Sequence, residues 1–339
     1  MTSSSPAGRG IRVLFTGARE ASNWEPWGRE MLAALSRSHD VTLADPDRPL
    51  VDQVADPAIE VVVDASMLAS PELAAAAEGH VRLWQLGSVG YDKVDVRSLA
   101  AHGIRTANQP GFTSSRSLAE QALMLAMMVA RDYPALAAAV DAGTLVAPIG
   151  RQLAGRTLLV IGLGASGRQL ARRAIAFGMA VFAINHRGPD PALQRRYGLR
   201  WMGGLESLDR ALGEADVVSL HVPLSADTRN ILDARRLALI KPGGIVVNVS
   251  RGGLIDEVAL AAEIRGGHLF GAGLDVVAGE PAGQDHPMRG VPHVILAPHV
   301  AGATDATAWR RARFAALNIS RLRHGLEPLC RVDHLPPQG

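Results

Sequence analysis

Residues 157–178 read TLLVIGLGASGRQLARRAIAFG, a short apolar run that meets Gly162, Gly164 and Gly167 before a helix-forming stretch. The order is strand, tight turn, helix. In a dinucleotide fold the first glycine permits the turn, the second lets the backbone approach a pyrophosphate, and the third lets helix pack on strand. Gly162, Gly164 and Gly167, with Ala165 and Ser166 between them, are therefore candidate cofactor contacts, and the free N–H groups of the helix start would hold the phosphate charge. A bare GxGxxG is a weak signal, because glycine-rich loops are common. Here the flanks strengthen it: β-branched residues and leucines precede it, helix formers follow, and AVFAIN at Ala180–Asn185 supplies the next strand.

Working outward, strand-like runs continue as ADVVSLHV, GGIVVNVS, GAGLDVV and HVILAP, ending near Pro298. With the first two runs, these predict six strands with helices between, the doubly wound dinucleotide-binding architecture. On the N-terminal side IRVLFTG, DVTLA, EVVVDAS and VRLWQLG alternate with helices near Gly28–Arg37 and Pro71–Glu78, which predicts a smaller parallel α/β unit. Between the two lies Thr113–Arg131, nearly continuously apolar after serines that can cap its start. A helix apolar on all sides is buried, either in a core or as a connector between domains or subunits. The final pattern, Ala303–Gly325, spaces Trp309, Phe314, Leu317 and Leu322 as an apolar stripe and is expected to return to the first domain, which makes that domain discontinuous.

Composition bounds the function. A chain of 339 residues with 47% hydrophobic content can bury large cores, and its length suggests two domains. Basic and acidic residues number 35 and 33, for a net charge of +2, and no basic stripe tracks a phosphate backbone, so nucleic acid is not expected as a partner. The one cysteine, Cys330, rules out an internal disulfide framework and a Cys-based zinc site, fits a reducing cytoplasm, and is expected to be inert. The opening MTSSSPAGRG reads as a disordered tail over residues 1–10 with no apolar signal region, and no apolar run reaches membrane-spanning length. Neither HExxH nor a carboxylate cluster points to a metal.

In open parallel sheets ligands bind outside the carboxyl ends of the strands, and three polar residues fall there: Arg251 after IVVNVS, Glu280 after LDVVAG, and His299 after VILAP. An always-charged arginine can grip a carboxylate bidentately and polarise an adjacent carbonyl. A histidine can give or take the proton that ketone reduction requires, and a glutamate beside it orients the ring and favours its imidazolium. Each alone has a plainer reading, as a salt-bridge arginine, a turn before Pro281 and a loop histidine. His221, in VVSLHVPL, also ends a strand and more plausibly shapes the cofactor side of the site than transfers a proton. His268, His286 and His293 read as solvated positions.

Taken in order, GSVGYDKVDV, SLAEQALML, LAGRTLLVIGLGASG, LHVPLSADTRN, KPGGIVVNVSRGGLIDE, GAGLDVVAGEP and APHVAGAT resemble the D-isomer-specific 2-hydroxyacid dehydrogenases from about Val81 to Asp333. The resemblance implies a flavodoxin-like substrate domain over residues 11–109 and 303–335, with a Rossmann NAD(P)-binding domain over 110–302 inserted into it. It implies Arg251, Glu280 and His299 as the catalytic set, the Val89 and Gly90 backbone as the grip on the substrate carboxylate, and Asp275 as a contact of the nicotinamide carboxamide. Pro223, Thr228 and the Val249–Ser250 backbone would line the cofactor cleft. It further implies domain closure and a homodimer formed through the cofactor domains, with Thr113–Arg131 as the crossover into it.

Two departures bear on specificity. Many relatives carry an acid at the end of the second cofactor-domain strand, where it binds the adenosine ribose; here Asn185 is followed by His186 and Arg187. A carboxylate would repel a 2′-phosphate, whereas Asn185 with Arg187 can accept one, so NADP(H) is preferred and NAD(H) remains usable. Phosphoglycerate dehydrogenases of this family place an arginine where Leu86 stands, which disfavours a phosphorylated substrate, and the end at Gly339 leaves no room for their regulatory domain. The expected activity is reduction of a small 2-oxo acid such as glyoxylate or hydroxypyruvate to the D-2-hydroxy acid. The rivals are a non-catalytic nucleotide-sensing regulator on the same fold and a dehydrogenase of larger or sugar-derived 2-keto acids.

Overall fold

A computed structural model describes residues 10–17 and 24–334; the expected tail falls outside them except for Gly10, as does Leu335. The chain forms two compact units, one running to Thr113 and resuming at Ala303, the other spanning Ser114–Gly302.

The first unit holds a five-stranded parallel sheet of β1 (Arg12–Phe15), β2 (Asp40–Leu43), β3 (Val61–Asp64), β4 (Leu83–Leu86) and β5 (Arg105–Ala107), in the order β2-β1-β3-β4-β5. That is the flavodoxin-like order. Alternation sorts the strand residues to two cores: Val13 and Phe15 on one face, Leu14 with Trp84 and Leu86 on the other. The first face is covered by helices Arg29–Leu35 and Asp305–Arg323, the second of which brings the C-terminal segment into this unit. Its buried residues include Phe314 and Leu322, as expected, together with Ala308, Ala312, Ala315 and Ile319. Trp309 and Leu317 are not among them, at 51% and 46% exposed. Small residues let the helix approach the sheet, and the bulky pair turns outward, Trp309 under the Arg313 guanidinium. β5 is also an addition to the four strands read from sequence.

The second unit carries seven parallel strands rather than six: β6 (Thr157–Ile161), β7 (Ala180–Ile184), β8 (Trp201–Gly203), β9 (Val217–Leu220), β10 (Ile245–Asn248), β11 (Gly271–Leu274) and β12 (Val294–Leu296). Their order is β12-β11-β10-β9-β6-β7-β8, so the winding reverses between β6 and β9. Leu159 and Ile161 face one core, Leu158 and Val160 the other. Helix Ser115–Ala130 packs on β10 and β11 in the second of these cores. It is not buried all round: Ala119, Ala122, Leu125 and Val129 form its buried face, while Met124 is 40% exposed. It is a core helix of this unit. Among the described residues no single helix is long and apolar enough to cross a membrane.

Candidate active site

β10, β11 and β12 are parallel neighbours, so their carboxyl ends, which carry Arg251, Glu280 and His299, lie side by side. Arg251 is presented by a turn that Asn248 fixes. The Asn248 Oδ1 accepts the Ser250 N–H at 3.0 Å and its Nδ2 donates to the Arg251 carbonyl at 2.8 Å, all from a wholly buried position. Ser250 Oγ donates to the Leu220 carbonyl at 2.9 Å, and the half-buried Arg251 donates from Nη1 to the Ser250 carbonyl at 2.9 Å.

His299 has φ of +56°, a left-handed conformation that costs a side-chain-bearing residue energy and persists only when its surroundings dictate it. Asp275 dictates it. The Asp275 carbonyl accepts the His299 N–H at 2.8 Å, and its carboxylate accepts the N–H groups of Val300 at 3.1 Å and Ala301 at 2.8 Å. Gln121 Nε2 donates to the same carboxylate at 3.1 Å. Burial pushes the Asp275 carboxyl up from its usual range, against the pull of these donors. The Asp275 side chain is thus engaged in holding the histidine loop from a wholly buried position.

The His299 Nδ1 lies 2.9 Å from Glu280 Oε2, and Glu280 Oε1 accepts the Val277 N–H at 3.3 Å. A ring nitrogen facing a carboxylate carries the proton, so Nε2 is the atom left to exchange a proton with a ligand. The pair opens onto a cavity of about 520 Å³ whose walls include Val277, Pro281, Leu296 and Pro298, with Arg289 beside them.

The glycine loop ends β6 at the winding reversal. Gly162 has φ of +99°, and a Cβ there would come 2.6 Å from the His221 carbonyl oxygen. A Cβ on Gly167 would overlap the Gly162 carbonyl, whereas one on Gly164 would meet nothing within 4 Å. The helix Ala165–Ala176 starts there without a side-chain cap. These residues fit a pyrophosphate: close helix–strand contact at Gly167, open space at Gly164, and unspent N–H groups in the first turn. His221 has each ring nitrogen 3.0 Å from a hydroxyl, Nε2 from Ser219 Oγ and Nδ1 from Ser166 Oγ, and complete burial depresses its pKa to about 4. It is a neutral brace for the glycine loop and offers no proton to a ligand. Thr228 Oγ1 donates to the Pro223 carbonyl at 2.7 Å and accepts the Ser225 N–H at 2.8 Å, so it staples its loop. Val249 is buried in the core. Beyond β7, Asn185 is half-buried while His186 and Arg187 are exposed, and among the described residues no carboxylate pairs with Arg187.

In the first unit, the Val89 carbonyl accepts from Asn108 Nδ2 at 2.6 Å and the Ser88 carbonyl from the Gln109 N–H at 2.8 Å. Across trans peptides the Gly90 and Val89 N–H groups therefore point away from these acceptor contacts. Leu86, just before this loop, is fully buried.

Three histidines differ from their reading as solvated. His268 Nε2 lies 2.9 Å from the Ile240 carbonyl oxygen. His293 stacks on Phe270 at 4.5 Å between ring centroids, with Nδ1 3.1 Å from Asp132 Oδ2. His286 is buried against Glu257, a residue that sequence reasoning passed over, as it did Asn248. Among the described residues no group of His, Cys, Asp or Glu could hold a metal ion.

Residues 123–301 match the family model described as D-isomer specific 2-hydroxyacid dehydrogenase, NAD binding domain. The D-3-phosphoglycerate dehydrogenase of Mycobacterium tuberculosis (strain ATCC 25618 / H37Rv) is 37% identical over 284 residues, covering 83% of this chain and 52% of that protein. The chain thus spans about half the length of the phosphoglycerate dehydrogenases it matches. The hydroxypyruvate reductase of Thermotoga maritima is 34% identical over 259 residues, 75% of this chain and 81% of that one. Among solved structures, a glyoxylate reductase from Paecilomyes thermophila superposes with a TM-score of 0.80 at 27% identity, covering 95% of this chain and 98% of that one.

Proposed function

The chain belongs to the D-isomer specific 2-hydroxyacid dehydrogenases, oxidoreductases with a nicotinamide-dinucleotide domain, and on that premise we propose that it is an NADP(H)-preferring reductase of small 2-oxo acids of the glyoxylate or hydroxypyruvate type. The observation that carries this reading is the 2.9 Å contact between His299 Nδ1 and Glu280 Oε2 at strand ends adjoining that of Arg251. A strained histidine held against a carboxylate favours the enzyme over a nucleotide sensor.

When bound, the nicotinamide supplies the hydride. His299 holds the proton at Nε2 and releases it to the carbonyl oxygen, while Glu280 keeps the ring in the Nδ1–H tautomer and balances the charge of the imidazolium. Arg251 draws the substrate carboxylate and polarises the carbonyl beside it, and the Val89 and Gly90 N–H groups take the remaining carboxylate valence. Asn185 and Arg187 receive the 2′-phosphate. The cofactor domain is residues 110–302 and the substrate domain residues 11–109 and 303–335. Pairing into a homodimer accounts for helix Tyr133–Asp141, which has no buried residue, and for Val140, Leu145, Val146 and Ile149, which are 79%, 87%, 94% and 92% exposed. A cytoplasmic location completes the reading.

The 37%-identical relative favours a second reading, phosphohydroxypyruvate as substrate. Leu86 opposes it, since a buried leucine cannot meet a phosphate. The test follows NADPH and NADH oxidation with glyoxylate, hydroxypyruvate, pyruvate, 3-phosphohydroxypyruvate and a bulky 2-oxo acid, with His299→Ala alongside. Turnover of the small acids that the variant loses supports the proposal. No turnover across the panel revives the sensor, and preference for the phosphorylated substrate establishes the second reading.

A further inference from the structure

Resting on the reading that Arg251, Glu280 and His299 reduce a 2-oxo acid, we propose that Glu257 and His286 form a positioning pair that sets the Val277–Glu280 loop and thereby aims the Glu280–His299 proton-delivery group. Glu257 opens helix Glu257–Arg265, and its side chain is 5% exposed; that of His286 is 6% exposed. His286 Nε2 lies 3.0 Å from Glu257 Oε2, and Glu257 Oε1 accepts the Ala278 N–H at 2.9 Å. The Met288 N–H donates to His286 Nδ1 at 3.3 Å. An accepting Nδ1 carries no proton, so the ring proton sits on Nε2 and faces the carboxylate.

The Ala278 N–H, as a hydrogen bond, and the His286 ring, as a 3.0 Å ion-pair contact whose angle falls outside hydrogen-bond range, therefore meet Glu257 on separate oxygens. Only a carboxylate serves both, because an amide has a single acceptor oxygen. A buried carboxylate is costly, and similar volume in apolar side chains would be cheaper. Burial pushes the Glu257 carboxyl up, the Ala278 N–H and His286 pull it down, and the charge of Glu280 pushes it up again. His286 and Glu280 are the titratable groups that face it.

The bond to Ala278 makes the site useful. Ala278 follows Val277, whose N–H donates to Glu280 Oε1 at 3.3 Å, and Glu280 Oε2 holds His299. From the other side, Gly252 lies so close that a Cβ would overlap the Val277–Ala278 peptide. Gly252 adjoins Arg251 and Glu257 lies one turn further on, so one short segment carries Arg251 and clamps the loop that carries Glu280 at two points. Glu257 and His286 touch no substrate; they fix the distance between the groups that do.

The test compares Glu257→Gln, His286→Leu and His286→Gln in the full chain, with NADPH and glyoxylate. His286→Gln can keep both contacts, its Nε2 donating to Glu257 and its Oε1 accepting from Met288, whereas His286→Leu keeps neither. Misplacing a catalytic group by an ångström costs about a hundredfold, so kcat should fall about tenfold to a hundredfold in Glu257→Gln and His286→Leu. The KM for NADPH should stay within about twofold, because the glycine loop that grips it is on another strand, and His286→Gln should recover to within about threefold of wild type. A readout without turnover is the rate at which diethyl pyrocarbonate modifies His299 in the free enzyme, with exposed His186 as internal control. It should change severalfold in the first two variants only. Equal losses in both His286 variants, unchanged kcat in Glu257→Gln, or matching changes in kcat and NADPH KM each overturn the pair. If Glu257→Gln does not fold, the two His286 variants decide. A wild-type protein that turns over no 2-oxo acid strikes at the catalytic reading instead, and the His299 modification rate then decides the pair alone.

Discussion

Glu280→Gln is the most direct probe of how the proton donor works. In the native pair, the contacts of Glu280 include the Val277 N–H at 3.3 Å and His299 Nδ1 at 2.9 Å. Glutamine has one acceptor oxygen, so it can satisfy one donor and must turn its amide toward the other. If it keeps the histidine bond, a charge-assisted contact of about 1.5–3 kcal/mol becomes a neutral one of about 0.5–1.5 kcal/mol. The difference, about 1–2 kcal/mol, predicts a kcat/KM about 5- to 30-fold below wild type. The side chains of His299 and Glu280 are 46% and 25% exposed, so solvent screening places the value toward the lower end. His299→Ala removes the donor itself, and positioned acid catalysis is worth about 10²–10⁴-fold. Because Glu280 meets the reacting proton through His299, adding Glu280→Gln to His299→Ala should cost little more in turnover. The assay is steady-state NADPH oxidation with glyoxylate at pH 7 for wild type, both single variants and the double variant. Losses that multiply in the double variant would refute the reasoning, because they would give Glu280 a role independent of the ring it faces. So would a Glu280→Gln enzyme indistinguishable from wild type.

Gly164→Ala and Gly167→Ala should separate binding from folding. The first adds a methyl to open space and should lower dinucleotide affinity about tenfold with little change in Tm, whereas the second drives a methyl into the Gly162 carbonyl and should cost about 1–3 kcal/mol of stability; calorimetry with cofactor titration checks both, and the reverse pattern would contradict the fit to a pyrophosphate. Arg187→Ala should raise the KM for NADPH about threefold to tenfold and leave that for NADH within about twofold, as loss of an exposed charge-assisted bond to the 2′-phosphate requires; equal changes would remove that contact. His221, depressed from 6.5 to about 4 by burial, resists protonation in the folded state. Its contribution to stability is present above pH 6.5 and is lost as pH falls toward 4, by about 3 kcal/mol at 1.36 kcal/mol per unit. Thermal melts of wild type and His221→Asn across that range should show a steeper acid loss in the wild type; parallel curves would argue against the buried neutral ring.

What the sequence made legible follows from the physics of parallel sheets. Strands buried on both faces read as near-continuous Val, Ile and Leu runs, as β6, β9 and β10 do but for Thr157, Ser219 and Asn248, and polar residues beyond their ends must serve something, so Arg251, Glu280 and His299 could be found without coordinates. β5 and β8 escaped because these three-residue edge strands, Arg-Thr-Ala and Trp-Met-Gly, lack the β-branched run that marked β12, Val-Ile-Leu, at the same length. The stripe of helix Asp305–Arg323 was right at Phe314 and Leu322 and misplaced at Trp309 and Leu317, because hydropathy weights bulky side chains while close approach to a sheet selects Ala308, Ala312 and Ala315. The supporting groups were illegible for a different reason. Asn248 holds Arg251 within one turn, Asp275 holds His299 from the neighbouring strand, and Glu257 holds the Glu280 loop from a helix start. Each acts mainly on backbone N–H or carbonyl groups, which every residue possesses, so no residue type at the receiving end marks the partnership. A motif records which side chains meet the substrate. The polar residues that aim them become visible only when each buried donor is traced to its acceptor, and that is how a histidine that reads as solvated came to be joined to the proton donor through Glu257.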